Sequence, residues 1–411
     1  MARAAYIVSA VRTPIGKFGG GLAELTAADM GVVAVRAALE RAFGEVPEER
    51  QPGDNSPPSG RSVRYRVDEL IFGNARPAGG GPNVARQICW RSGLGDDVPA
   101  FAVNMACASG LRAITLAWQQ ILLGEAEIVV AGGTESMSRV PYLLEARWGF
   151  KMGHQPLVDV MYRDGFLCPM SQMIMGETAE VLAEQYKIPR EEQDRYALES
   201  QQRAVLAQRE CRFQAEMVPV ERTDKKGKTV RIDCDEHVRP EATLESMAKL
   251  PPVFSKSGTI TAGNSSGLTD AAAALVVVSE QKLGELKLTP VARIVNASVA
   301  AVAPHIMGIA PVPAVRALQQ RTGWKLADYD VVELNEAFAA QVLACDRELH
   351  FDRARLNPNG GAIALGHPIG CTGARIATTL LHELRQAKGK RGLATLCVSG
   401  GMGLAVAFEA A

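Results

Sequence analysis

The chain is short of several things, and each shortage removes a class of function. It has no excess charge: Lys plus Arg is 45 and Asp plus Glu is 45, for a formal net charge of zero. A polyanion such as nucleic acid, or an acidic membrane surface, has nothing global to hold, so any anion site must be a local patch. No stretch approaches the 18 or so uninterrupted apolar residues of a membrane span. The opening MARAAYIVSAVRTPIGKFGG lacks the apolar core of a signal peptide, and YIVSAV reads as a strand, so a cytoplasmic protein is expected. The eight cysteines are scattered with no Cys-x-x-Cys pair. That argues against a thiolate metal site and fits free thiols in a reducing compartment. No Gly-x-Gly-x-x-Gly follows the first strand, which weakens a dehydrogenase reading. Aromatic residues are only 5%.

Glycine, in contrast, is plentiful at 39 of 411 residues, and 47% of the chain is hydrophobic. This composition suits two or three packed units, with helices close against sheets and glycine-lined sites. Strand and helix patterns alternate through residues 1–136, beginning with a strand at Tyr6–Ala10 and a helix that puts Val32, Val35, Leu39 and Phe43 on one face. Residues 50–66, rich in Pro, Ser, Gly and Arg, read as an exposed loop whose arginines are solvated. From 137 to 268 the alternation stops and charge rises, the pattern of an insertion carrying two helices, near 177–186 and 189–210. Alternation resumes over 269–290, which completes the first half, and repeats from 291 to 411. VVAGGTES and LCVSGGMG each close an apolar strand with Gly-Gly, a weak sign of two similar α/β halves.

The stretch NMACASGLRAITLAWQQILL, 104–123, organises the rest. Cys107 sits among Ala106, Ala108, Ser109 and Gly110, followed by Leu111, Ile114, Trp118, Ile121 and Leu122 at helical spacing. That places Cys107 in the first turn of a buried helix, where partial positive charge and unpaired N–H groups favour a thiolate. Alone, a buried structural cysteine is the simpler account. Three later residues change the balance. Asn335 lies at a strand-to-helix junction, where a plain N-cap is the competing reading. His367 lies in the glycine-rich loop of GGAIALGHPIGCTGAR. Cys397 ends an apolar strand before a Gly-Gly turn. A cysteine nucleophile, a histidine base, main-chain and Asn donors for an oxyanion, and a second thiol to move a proton at carbon suit acyl transfer with carbon–carbon bond making or breaking.

These residues resemble the thiolase family, including its acetyl-CoA acetyltransferase and 3-ketoacyl-CoA thiolase branches. CASG at 107–110, ESMS at 135–138, NEAFAAQ at 335–341, GGAIALGHPIGCTGAR at 360–375 and LCVSGGMG at 396–403 occur in the family's order and spacing. The resemblance implies an α/β thiolase fold of two βαβαβαββ halves in α-β-α-β-α layers. It implies Cys107 as the acylated nucleophile and His367 as its base and an oxyanion donor. Asn335 would hold a water in that hole, and Cys397 would exchange the α-carbon proton. The N–H groups of Cys107 and Ser399 would form a second hole, although glycine is usual at the position of Ser399. Coenzyme A is implied as a substrate, with no permanently bound cofactor and no metal. Arg239 would lie near its adenosine and phosphates. Ser246, Val253, Phe254, Ala262, Ser266 and Leu268 would line the pantetheine arm, with Ala337 and Phe338 at its inner end. Met175 and Met307 would border the acyl group. Ile174 stands where acetoacetyl-specific enzymes usually carry His, which weakens strict acetoacetyl-CoA use. The stretch 146–162 resembles the family's tetramerisation loop, so a homotetramer is expected. A decarboxylating ketosynthase, which lacks a second cysteine like Cys397, and a non-catalytic acyl-CoA or lipid carrier are the competing readings.

Overall fold

The structure, a computed structural model, describes residues 3–53, 63–224 and 226–411. Positions 54–62 of the loop expected at 50–66 lie outside the described residues, as does Lys225. The first half contributes β1 (Ala5–Arg12), β2 (Glu69–Gly73), β3 (Ala100–Val103), β4 (Ile128–Ser136) and β5 (Thr269–Ser279). The second contributes β6 (Ala292–Ala301), β7 (Val331–Leu334), β8 (Arg391–Val398) and β9 (Met402–Ala410). Together they form one mixed sheet in the order β7-β8-β9-β6-β1-β5-β4-β2-β3, with Gly16–Lys17 paired to β5.

Each half repeats one pattern. β1 runs antiparallel to β5, β5 antiparallel to β4, and β4, β2 and β3 run parallel. In the second half β6 runs antiparallel to β9, β9 antiparallel to β8, and β8 parallel to β7. The counterpart of β3 is reduced to a single parallel bridge between Val332 and Leu356. The halves meet where Tyr6 and Ile7 of β1 pair with Arg293 and Ala292 of β6. The internal repeat glimpsed in the Gly-Gly strand ends is therefore a repeat of topology.

The helices fall at matching places: α1 (Ala27–Phe43), α2 (Val84–Arg91) and α3 (Ser109–Leu123) in the first half; α4 (Met175–Gln185) and α5 (Arg190–Arg209) between the halves; α6 (Pro311–Thr322), α7 (Ala339–Leu349) and α8 (Ile369–Ala387) in the second. α1 packs on β5 and β1 from outside, α6 packs on β6 and β9 from outside, and α3 and α8 lie between the two sheet portions. This is the layered α-β-α-β-α arrangement of the thiolase α/β fold. α1 shows how locally the elements are set. Thr26 and Asp29 close a capping box at its start, Gly44 turns left-handed at its end, and Val32, Val35, Leu39 and Phe43 are buried. In α3 the expected stripe is corrected at one place: Leu122 is 36% exposed, and Ala113 and Ala117 fill the buried face instead. Small side chains are what the crowded middle layer can hold.

α3 and α8 touch main chain to main chain. A Cβ on Gly373 would meet the Leu111 nitrogen at 2.3 Å, and one on Gly110 would meet the Ala374 nitrogen at 2.7 Å. Residues with side chains cannot come this close. The contact sets the separation of the two helix starts.

The chain leaves the sheet after Ser136 and re-enters at Thr269, where Asp270 pairs with Ser136. The intervening segment is tied to β1 by Arg12, which is fully buried. Its guanidinium donates to Asp235 at 2.7 and 3.0 Å and to Glu216 at 2.5 Å. The arginines of 50–66 depart from the solvated reading at Arg50. It is 8% exposed, stacks on the Trp90 ring with 4.1 Å to the centroid, and donates to Asp96 at 2.6 Å.

A Gly373→Ala substitution tests the helix contact by its sign. Helix propensity alone favours Ala by about 1 kcal/mol. Forced against the Leu111 nitrogen, it is expected to destabilise by about 1–3 kcal/mol. Urea denaturation reads the difference, and a gain in stability contradicts the contact.

Candidate active site

A cleft of about 200 Å³ opens at the starts of α3 and α8. Cys107, His367, Cys397 and Ser399 all line it, although they lie far apart in the sequence. One wall, beside Cys107, is built from Met137, Phe166 and Ile369. The other, beside Cys397, is built from Met175, Phe254, Met307, Ala337 and Phe338. Phe254 and Phe338 meet edge to face, with ring centroids 6.1 Å apart. Ser266 and Leu268 join the lining, as does Ile174.

Cys107 lies in a 3-10 turn, Ala106–Ala108, one step before α3 rather than in its first turn. Ala106 is held at φ +44°, a left-handed conformation uncommon for a residue with a side chain. Ser109 clamps the turn, accepting from the Met105 N–H and donating to the Ala106 carbonyl. The thiolate expectation is corrected here. Burial pushes the Cys107 thiol up from its ordinary value, outweighing the Arg76 charge and the Ser399 and Cys107 main-chain N–H groups that favour the anion. The resting sulfur is a thiol that needs a base.

His367 shares the cleft and can act as one. Its ring is buried, and burial, then the charges of Arg375 and Arg76, hold its pKa down at about 3. It is therefore neutral at physiological pH. The hydrogen bonds assign its tautomer. The Thr372 hydroxyl donates to the Pro368 carbonyl, so its oxygen accepts from His367 Nδ1 at 2.6 Å. Nε2 is left as the free base, 3.5 Å from the Asn335 amide nitrogen. The backbone before it is tightly set: Gly366 is at φ +100°, and a Cβ there would meet Thr269 Cγ2 at 2.2 Å.

Asn335 is not a helix cap, because α7 begins four residues later at Ala339. Its main-chain N–H bonds the Thr395 carbonyl, and its side-chain oxygen is buried with no partner among the described residues. An acceptor in that state can hold a water beside the histidine. Cys397 ends β8, fully buried. Burial, then proximity to Cys107 and Cys345, pushes its thiol well above the ordinary range. A thiol kept protonated in this way can donate a proton to carbon.

Sequence reasoning missed three charged groups around these residues. The Glu135 carboxylate accepts from Asn74 Nδ2 and from the N–H groups of Ala75, Arg76 and Gly370 at 2.7 to 3.1 Å. It thereby fastens the start of α8 to the loop after β2, and burial raises its pKa to about 6. Glu336 accepts from Tyr196, Ser200, Asn357 and the Ile363 N–H, which pins the residue after Asn335 to α5. Arg76, 9% exposed, lines the cleft itself. Glu135 and Glu336 stood inside the ESMS and NEAFAAQ motifs, but sequence does not show that a carboxylate is buried. Nothing in NARPAGGG marked Arg76.

Four expected contact residues, Arg239, Ser246, Val253 and Ala262, do not line the cleft and are exposed. The Arg239 main-chain N–H bonds Gln201, and Ser246 belongs to a short helix capped by Thr243. No group of three or more His, Cys, Asp or Glu able to hold a metal is found among the described residues. No helix among them is long and apolar enough to cross a membrane.

Comparison with known proteins agrees with this chemistry. Residues 62–281 match the thiolase N-terminal domain and residues 288–410 the thiolase C-terminal domain. An acetyl-CoA acetyltransferase of Cupriavidus necator is 48% identical over 404 residues, 98% of each chain. The crystal structure of the Bacillus anthracis acetyl-CoA acetyltransferase superposes with a TM-score of 0.93 at 43% identity, covering 100% of this chain and 99% of that one. Human mitochondrial 3-ketoacyl-CoA thiolase gives a TM-score of 0.91 at 42% identity, covering 100% of both. With both domains matched in order along one chain, and relatives similar over its full length, the chain belongs to the thiolase family of acyltransferases.

Proposed function

We propose that the chain catalyses reversible thiolysis of 3-ketoacyl-CoA, acetoacetyl-CoA included, through an acyl group carried on Cys107. The observation that carries this reading is the cleft shared by a thiol, a neutral imidazole and a second buried thiol. His367 Nε2 takes the proton from Cys107, and the thiolate adds to the 3-keto carbon. The C2–C3 bond breaks, and acetyl-CoA leaves as an enolate that takes a proton from Cys397. The acyl group remains on Cys107 as a thioester. The thiol of free CoA gives its proton to Cys397, attacks that thioester and releases Cys107, which recovers its proton from His367. In reverse, the same steps condense two acetyl-CoA molecules.

Each intermediate places negative charge on oxygen. His367, with a water held by Asn335, serves one oxyanion, and the N–H groups of Cys107 and Ser399 serve the other. For Ser399 only the main-chain N–H is needed, so a side chain in place of hydrogen is tolerated. CoA binds as a substrate rather than as a resident cofactor. Its pantetheine arm follows Phe254, Ser266 and Leu268 inward, with Ser246, Val253 and Ala262 along its outer part, and Arg239 serves the nucleotide end outside. Met175, Met307, Ala337 and Phe338 shape the inner cavity. The chain works in the cytoplasm as a homotetramer. Support for assembly is the exposed apolar set in 142–162, where Trp148 is 95% and Met152 92% exposed.

Three outcomes are expected. Incubation with acetyl-CoA adds one acetyl group to Cys107, read by peptide mass spectrometry, and an unmodified Cys107 under turnover counts against the mechanism. His367→Ala lowers kcat/KM for acetoacetyl-CoA thiolysis by about 10²–10⁴-fold. Because burial raises the Cys107 pKa above its ordinary 9.0, its alkylation by iodoacetamide is still climbing with pH at 9.0 and has no plateau below it. A thiolate–imidazolium pair would instead give a plateau from about pH 5 upward.

A further inference from the structure

Arg76 is the one cleft-lining arginine or lysine among the described residues, and the mechanism above gives it no contact with substrate. It follows β2 and is 9% exposed. Its guanidinium donates to two main-chain carbonyls, Ala75 and Gly165, each at 2.9 Å. Its Nε is buried with no partner among the described residues. No carboxylate among those residues lies within ion-pair distance of it. Two acids that feel its charge are committed elsewhere. Glu135 already accepts from four N–H groups, and Asp164 is bound by Arg163 at 2.7 Å. Cys107 and His367 also feel its charge.

The surroundings make this costly without a partner. Phe166, Met137 and Ile369 line the cleft around it. An apolar acyl chain lying along that wall would strip water from the guanidinium and return nothing. An acyl chain ending in a carboxylate would meet a fixed donor whose two Nη groups each keep one N–H beyond those given to Ala75 and Gly165. Gly165 leaves room for the guanidinium itself. A Cβ there would strike the guanidinium at 2.7 Å, so the arginine lies flat against bare backbone.

We propose that Arg76 selects 3-ketoacyl-CoA substrates whose acyl group ends in a carboxylate. This rests on the thiolase reading and names its substrate class. Arg76 binds the chain end, beyond the reacting carbonyl, and takes no part in bond making. Its charge also favours the Cys107 thiolate, so removing it slows turnover of every substrate. The informative quantity is therefore a ratio.

The test compares kcat/KM for thiolysis of two 3-ketoacyl-CoAs of equal chain length, one ending in a carboxylate and one in a methyl group. In the unmodified enzyme the carboxylate substrate is expected to be favoured by about tenfold or more. Arg76→Leu should bring that ratio to one or below. Arg76→Lys should keep part of it, retaining the charge but losing the fork. A ratio of one or below in the unmodified enzyme overturns the proposal without any variant. An Arg76→Leu enzyme that keeps the original ratio overturns it too. Should Arg76→Leu fail to fold, the unmodified enzyme and Arg76→Lys decide. Acetoacetyl-CoA separates the two levels of inference. If it is cleaved while the ratio is flat, only the role of Arg76 fails. If none of the three substrates is cleaved, the thiolase reading fails with it.

Discussion

The close approach of two helices through Gly110 and Gly373 is the constraint on which the rest of the molecule depends. Each helix belongs to a different half, and each begins beside a residue that lines the cleft. Because the helices touch at their main chains, their starts are brought to one place, with Cys107 before one and His367 before the other. Two helix N-termini also bring two sets of unpaired N–H groups to the same cleft. The sheet is fitted to this contact. A Cβ on Gly133 of β4 would meet the Gly370 carbonyl at 2.3 Å, and one on Gly73 of β2 would meet the Gly110 nitrogen at 2.4 Å. Glycine is thus required where strand, helix and helix converge.

Buried carboxylates then hold the chemistry in register. Glu135 links the loop after β2 to the start of α8, and Glu336 links the strand end carrying Asn335 to α5. Each accepts from four donors, which is the condition for burying a carboxylate without large cost. Arg12 does the same with the opposite sign, joining β1 to Glu216 and Asp235. The intervening segment 137–268 is therefore fixed by specific polar contacts as well as by apolar area.

Much of this was legible in the sequence, and the failures are instructive. The α/β alternation, the halves and the return of the chain at 269 follow from hydrophobic periodicity, which reports burial directly. Cys107, His367 and Cys397 were marked by glycine-rich turns, since such turns are where backbone meets ligand. The ionisation of Cys107 was misread because a helix start suggests a thiolate, whereas burial of the sulfur is the larger effect. Leu122 was assigned to the buried stripe because it is apolar, yet the layer between two sheets admits alanine more readily. Arg50 sits in a stretch of polar and turn-forming residues that reads as solvated, and nothing in the stretch around Arg76 marks it. Only the packing around them, a Trp90 ring in one case and the catalytic cleft in the other, shows that they are buried.

The seam between the halves has a consequence for how such an enzyme moves. β1 and β6 share only two residue pairs, but α3 and α8 are wedged across the seam between both sheet portions. Separating the halves would expose that whole middle layer to water, so the frame does not breathe open and shut with each turnover. Substrates must thread in and products must diffuse out through a fixed mouth. Access to the cleft then rests on the side chains at its mouth, not on a hinge between the halves.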